Sequence, residues 1–323
     1  MSTEGYRPRE SYTSKDPLKR AKQLANLAKR RGKRATPLPT PFLSDPFNND
    51  IRHFLARHYF IGKTLLGKRQ AIKLEPFQVE ILDALYPKDA PRPFDQAIIG
   101  LPRKQGKSTL CAGIALWHLF FDDVPSPEVY SLAADVEQAQ IIFGLAVKAV
   151  RRNKQMNDLC KIYADRIEVP SRDAVYKVIP SDVASSYGLN PSAVFMDEFA
   201  TASWDMWISL IGGMGARHAL GQRPVAFMIG TAGFDLTSDF YKAYLDGLEG
   251  NDEAFYFYWS HEQVASFSDP AWIERMRRRM RPEQFQRFIE NKWVAGSGAF
   301  LTNDDVGRCI DPDLGPTYGG KEG

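Results

Sequence analysis

The chain has 323 residues, 44% hydrophobic and 25% charged, enough to bury a large core without a metal or a disulfide frame. Cys111, Cys160 and Cys309 are far apart with no Cys-x-x-Cys or His/Cys cluster around them, which argues against a zinc ribbon or a disulfide scaffold. No apolar run long enough to span a bilayer and no apolar leader occurs, so a soluble intracellular protein without membrane association is expected.

The net charge of +3 is unevenly spread: residues 1–41 carry eleven Lys/Arg against three acids, leaving the remainder mildly acidic. Such an arm reads either as a polyanion-binding tail or as a solvated, disordered leader. The stretch Thr36-Pro-Leu-Pro-Thr-Pro41 is a stiff linker of polyproline type. Residues 1–45 are therefore expected to be arm and linker, 46–265 the core, 266–300 a small helical subdomain and 301–323 a polar tail.

From residue 50 onward helices and strands alternate. Asp50 to Phe60 suggests a short opening helix and Pro76 to Leu85 another. Gln96–Leu101 is a short apolar run, followed by an apolar-rich helix over Lys107–Phe121. Glu128–Ala134 reads as a strand, and Asp135 as the cap of a helix running to about Arg152. Alternation at Arg166–Val169 and Ala174–Ile179 suggests a hairpin. Ser192–Asp197 and Pro224–Gly230 are continuous apolar runs, the pattern of strands buried on both faces. This alternation predicts an α/β fold with a mainly parallel sheet. Helices are expected at Ala271–Met280 and Pro282–Val294.

The strongest chemical signal is Leu101-Pro-Arg-Lys-Gln-Gly-Lys-Ser-Thr109 between a buried strand and a helix. A glycine at the helix start lets backbone N–H groups turn around phosphate oxygens, and the helix end adds a positive field. Pro102, Lys104, Gln105, Gly106 and Thr109 would form this cradle. Lys107 would reach the β- and γ-phosphates of ATP, and the Ser108 hydroxyl would ligate Mg²⁺. The usual first glycine of the box is replaced by Leu101, with Gly100 one place early. The second signal is Ala193-Val-Phe-Met-Asp-Glu198. An acid ending a buried apolar strand is costly unless a cation compensates it. Asp197 would hold Mg²⁺, and Glu198 would polarise the attacking water.

Taken together, the Pro-Arg-Lys-Gln-Gly-Lys-Ser loop, Asp135-Val-Glu-Gln-Ala-Gln140, Leu189-Asn-Pro-Ser-Ala-Val-Phe-Met-Asp-Glu198, Gly215-Ala-Arg217, Met228-Ile-Gly-Thr-Ala-Gly233 and Asn291-Lys-Trp-Val-Ala-Gly-Ser-Gly-Ala-Phe300 resemble the large terminase subunits of tailed phages, of the HK97-like group, over about residues 50–301. The resemblance implies a RecA-like P-loop ATPase, flanked by helices and carrying a small helical C-terminal subdomain. It implies that Arg103 contacts the γ-phosphate in cis, the alternative being a solvent-facing loop arginine. It implies further that Gln78 reads the adenine edge with Phe77 packed nearby, and that Thr231 couples the phosphate state to motion. The arginine some terminases carry before the acidic strand is absent, Tyr187 standing in that stretch, so Arg217 and Arg152 are the candidates for a finger acting in trans.

The implied partners are double-stranded DNA, a portal protein, the small terminase subunit and further copies of the chain in a ring, a pentamer when assembled. The implied place is the host cytoplasm, docked on the procapsid. The metal-dependent nuclease half of the family is not expected here, and Asp304, Asp305, Asp311 and Asp313 read as linker. Two rival readings stay open: a superfamily-2-type helicase or translocase, and a nucleotide-binding DNA-docking protein without turnover.

Overall fold

The computed structural model describes residues 41–63, 67–132, 136–179 and 188–295. The basic arm, Asp135, Tyr187 and the aspartates of the tail lie outside the described residues. Residues Pro41–Ser44 make one helical turn and belong to a unit separate from the one that begins at Asp45.

The second unit opens with helix α1 (Ile51–His58), whose N-cap Asp50 accepts a hydrogen bond from Arg52 N; a capping side chain of this kind satisfies one of the orphan donors of the first turn. A two-stranded antiparallel ribbon follows, β1 (Phe60–Lys63) with β2 (Arg69–Ala71). Helix α2 (Pro76–Leu85) starts at the expected proline. Next come β3 (Gln96–Gly100), α3 (Lys107–Phe121), β4 (Glu128–Leu132), α4 (Val136–Arg152) and the short α5 (Lys154–Leu159). Three strands then run close together, β5 (Lys161–Ile162), β6 (Arg166–Val169) and β7 (Ala174–Val178). After them lie β8 (Ala193–Asp197), α6 (Trp204–Gly213), α7 (Gly215–Ala219), β9 (Val225–Gly230), α8 (Asp239–Glu249) and β10 (Phe255–Trp259). The described chain ends on α9 (Pro270–Arg279) and α10 (Pro282–Phe288).

Eight strands form one sheet in the order β10-β3-β9-β8-β4-β7-β6-β5. The six from β10 to β7 are parallel, and β6 and β5 add an antiparallel margin. All residues of β8 and β9 are buried, as expected for central strands covered on both faces. Phe195 and Phe227 stack across that pair with ring centroids 4.8 Å apart. The parallel sheet and the β6–β7 hairpin match expectation. The β1–β2 ribbon and the aromatic strand β10 were not foreseen, and the last helix stops at Phe288 rather than Val294.

Six parallel strands place six C-terminal ends along one edge of the sheet. The loop after β3, the acids after β8 and the turn after β9 all project from that edge, which is where α/β proteins of this kind build their sites.

Candidate active site

The loop after β3 closes on Gly106, which caps α3 with φ +79°. Only glycine takes this left-handed conformation without penalty, and it turns the first N–H groups of α3 toward the loop interior. Lys104 also has positive φ, at 66°. Gly100 has a different task. It lies beneath the Trp259 indole, and a Cβ there would come within 2.0 Å of the ring. It is therefore a strand-packing glycine and not a displaced first glycine of the phosphate loop.

Lys107 is 9% exposed. Its ammonium donates to Leu101 O at 2.7 Å, Pro102 O at 2.9 Å and Thr231 Oγ1 at 3.1 Å. Burial pulls its pKa down to about 8, with Glu198 and Asp197 opposing. Thr231 in turn donates to Leu101 O, so the end of β9 is tied directly to the phosphate loop. Ser108 Oγ donates to Asp197 Oδ2 at 3.1 Å. The expected metal pair thus meets across the sheet edge.

Asp197 is 4% exposed, and no Lys, Arg or His forms an ion pair with it among the described residues. Burial, then the charge of Glu198, pushes its pKa up to about 6. A buried carboxylate that forms no ion pair among the described residues, beside a serine hydroxyl, offers the hard oxygen donors that Mg²⁺ takes. No cluster of three or more His, Cys, Asp and Glu residues suited to a metal occurs among the described residues.

Glu198 sits at φ 51°, ψ 46°, a left-handed conformation that costs a non-glycine residue about 1–3 kcal/mol and clusters at functional sites. Its N–H donates to Asp197 Oδ1, and its carbonyl accepts from Thr201 N and Oγ1. Its carboxylate has no hydrogen-bond partner among the described residues. The backbone is pinned while the acid stays available.

Arg103 is exposed at the rim, its guanidinium 3.6 Å from the centre of the Phe288 ring. Its N–H donates to Phe288 O. Gln78 is buried, and its Oε1 closes the capping box of α2 by accepting from Glu75 N. Its amide nitrogen, without a partner among the described residues, lies 3.6 Å from where a Cβ on Gly106 would stand. Phe77 is 5% exposed and belongs to the core. The ring beside the loop is instead Phe267, 60% exposed and 3.9 Å from that same point. With Trp272, Lys104 and Gln105 it lines a cavity of about 300 Å³. Gln105 itself is anchored, accepting from Ala265 N and donating to Ser268 Oγ.

Two expectations need correction. Arg217 is 2% exposed, and its guanidinium donates to Asn190 O, Pro125 O, Ser126 O and Gln222 Oε1. Those residues precede β4 and β8 or follow α7, at the edge opposite the phosphate loop. A buried arginine so held cannot extend into a neighbouring subunit. Arg152 closes α4, far from that helix's start beyond β4, and donates to Phe60 O and Ile61 O. It too is engaged in holding the fold.

The sequence reading gave Arg287 no role, and it cited Asn291 only as the start of the Asn291–Phe300 motif. Asn291, with φ 50°, accepts from Ala232 N and donates to Ser260 O. Arg287 Nε donates to Ala232 O at 2.7 Å. The segment after α10 is thereby stitched to the turn that follows Thr231. That motif was the one available signal, and it named no partner.

The chain matches the family described as terminase large subunit, ATPase domain, over residues 76–247, just over half of its length. It is 35% identical over 133 residues to the terminase large subunit of Enterobacteria phage HK97, a stretch that is 40% of this chain and 26% of that protein. In fold it is similar to the crystal structure of the HK97 large terminase, with TM-score 0.64 and 23% identity, covering 76% of this chain and 55% of that one. The large terminase ATPase domain of Thermus phage P74-26 is similar as well, with TM-score 0.54 and 18% identity, covering 69% of this chain and 94% of that one. The chain thus spans about a quarter of the curated relative and about half of the HK97 structure. With a parallel sheet of RecA-like type and these motifs on its C-terminal edge, the chain belongs to the terminase large-subunit ATPase domain family.

Proposed function

We propose that the chain is the ATP-hydrolysing motor domain of a viral packaging terminase, moving double-stranded DNA into a capsid. The observation that carries this reading is the convergence of Lys107, Ser108, Asp197 and Thr231 through direct hydrogen bonds, with Glu198 free beside them. Lys107 and the N–H groups of the loop bind the β- and γ-phosphates. Ser108 and Asp197 hold Mg²⁺, which when bound screens the charge of the transferring phosphoryl group. Glu198 accepts a proton from the water that attacks the γ-phosphate. Gln78 donates to the base with Phe77 packed beneath it, and Phe267 offers an aromatic face. Arg103, lifted from Phe288, reaches the γ-phosphate.

The partners proposed from the family are duplex DNA, a portal protein, the small terminase subunit and other copies of the chain in a pentameric ring, working in the host cytoplasm on the procapsid. The 266–300 segment acts as a lid and linker, and the basic arm as a DNA tether. A salt titration of DNA affinity, with and without residues 1–35, tests the tether, because each phosphate neutralised steepens the salt dependence. Among the described residues no helix is long and apolar enough to cross a membrane.

The deciding experiment is steady-state ATP turnover with Mg²⁺, with and without duplex DNA. The expected outcome is slow hydrolysis that DNA alters, lost in Lys107→Ala. Tight ATP binding with no turnover under any of these conditions would favour the docking-protein reading.

A further inference from the structure

Arg287 has no task in the scheme above, yet it stands where three parts of the site meet. Helix α10 carries it, and its Nε is fixed to Ala232 O, one residue beyond the Thr231 that touches Lys107. Its guanidinium lies 4.1 Å from the centre of the Phe234 ring and 4.7 Å from that of Phe288. Arg103 approaches the same Phe288 ring at 3.6 Å. Two guanidinium groups therefore converge on one aromatic side chain. Neither forms an ion pair among the described residues, and the terminal nitrogens of Arg287 have no hydrogen-bond partner there.

This arrangement is electrostatically unbalanced. Arg103, Arg287 and Lys107 surround the strand ends, and among the described residues the carboxylates of Asp197 and Glu198 face them. Burial, then the charge of Arg103, lowers the pKa of Arg287, with Glu198 opposing. Like charges brought together repel, and a multivalent anion between them relieves that repulsion. An arginine fixed at Nε with its outer fork free is preorganised to grip phosphate oxygens.

We propose that Arg287 is a second phosphate-reading arginine in cis, gripping the terminal phosphate of a bound nucleoside triphosphate and reporting it through Ala232 to the Thr231–Gly233 turn. The inference rests on the phosphate-loop reading. It adds a contact from the C-terminal helical pair, which becomes part of the binding site rather than a passive neighbour. Arg103 reads from the loop side and Arg287 from the side of the strand end. Loss of the γ-phosphate removes the anion that both share, and their mutual repulsion then favours separating α10 from the loop.

The test compares affinities of the full chain for Mg²⁺ with ATPγS and with ADP, by isothermal titration, for wild type, Arg287→Ala and Arg287→Lys. A charged hydrogen bond lost from the terminal phosphate is worth about 10- to 100-fold in affinity. Arg287→Ala should lose that factor for ATPγS and stay within about threefold for ADP. Arg287→Lys keeps a charge without the fork and should fall between, and it serves alone if the alanine variant does not fold. Equal weakening for both nucleotides in a folded variant would make Arg287 a strut for the turn and overturn the proposal, as would unchanged affinity for both. Lys107→Ala separates the two levels of the argument. If it leaves binding of both nucleotides intact, the phosphate-loop reading itself fails; if it weakens both while Arg287→Ala discriminates, both stand.

Discussion

The two edges of the parallel sheet both bury charge, and they do so in opposite ways. At the N-terminal edge Arg217 donates to three backbone carbonyls and one side chain. Nearby, Asp122 accepts from Arg92 at 2.8 Å and meets His118 Nδ1 at 2.5 Å, while His118 Nε2 meets Tyr86 OH at 2.7 Å. At the C-terminal edge Asp197 has a hydroxyl and one N–H, the Glu198 carboxylate has no partner among the described residues, and Arg103 and Arg287 rest on rings. Desolvating a charge is expensive, so a fold that only needed stability would satisfy such groups or omit them. Charges tied to fixed protein partners mark the edge that holds the sheet together. The Asp197 and Glu198 carboxylates, which form no ion pair among the described residues, mark the edge that waits for phosphate and metal.

The sharpest way to break this comparison is to change one group on each edge. Glu198→Gln keeps the shape at the C-terminal edge and removes the base. Turnover should fall by about 10²–10⁴, with Mg²⁺·ATP affinity retained and the melting temperature close to wild type. Turnover within threefold of wild type would take the base role away from Glu198. Arg217→Met removes the guanidinium at the other edge, leaves its carbonyl partners without that donor and deprives Glu128, 3.8 Å away, of its cation. Denaturant titration should show a loss of about 3–5 kcal/mol, as for other broken buried ionic networks. Nucleotide affinity of the folded fraction should not change. A variant of normal stability that fails only in mixed-subunit turnover would restore Arg217 as a trans finger.

Legibility in the sequence followed the same division. Lys107, Ser108, Asp197, Glu198 and Thr231 sit in short motifs at strand ends, so their neighbours in the chain indicate that they belong to one sheet edge, and the structure brings them together. The parallel core was readable because β8 and β9 are unbroken apolar runs. Arg217 misled because a sequence shows a charge and not the carbonyls that fold around it. Phe77, beside Gln78 in the chain, turns inward on α2, while Phe267, far away in sequence and not foreseen, takes the place beside Gly106. Arg287 was invisible because its meaning depends on Ala232 and Phe234, more than fifty residues earlier. Strand β10 could have been found from the five-residue aromatic run Phe255–Trp259, which has a β-prone composition.

The smallest expected effect concerns the pH response of the satisfied edge. His118 is fully buried, and burial holds its pKa below the usual imidazole value despite Asp122. Tyr86, Trp117, Arg92, Asp122 and Phe195 face it. Its ring is therefore neutral, with Nδ1–H donating to Asp122 and Nε2 accepting from Tyr86. Burial alone would raise Asp122, but His118 and Arg92 overcome it and hold the carboxyl far below the usual range. In the unfolded chain His118 takes up a proton near pH 6.5, whereas the folded chain resists it. The unfolded state thus binds more protons below that pH, and stability falls as the solution is acidified, by at most about 1.4 kcal/mol per pH unit. The loss continues down to the folded-state pKa of His118, and the contribution of Asp122 is lost only at stronger acidity. His58, also lowered by burial, adds a slope of the same sign. Asp197, raised to about 6 by burial, contributes a slope of the opposite sign below about pH 6, equally in both proteins. The readout is therefore the difference: between pH 7.5 and 5 the urea midpoint of wild type should fall relative to that of His118→Gln, where only His58 remains of the pair. Parallel midpoints in the two proteins would mean that His118 is protonated in the fold. The N-terminal edge would then carry an unbalanced charge of its own, and the contrast between the edges would fail at its best-packed point.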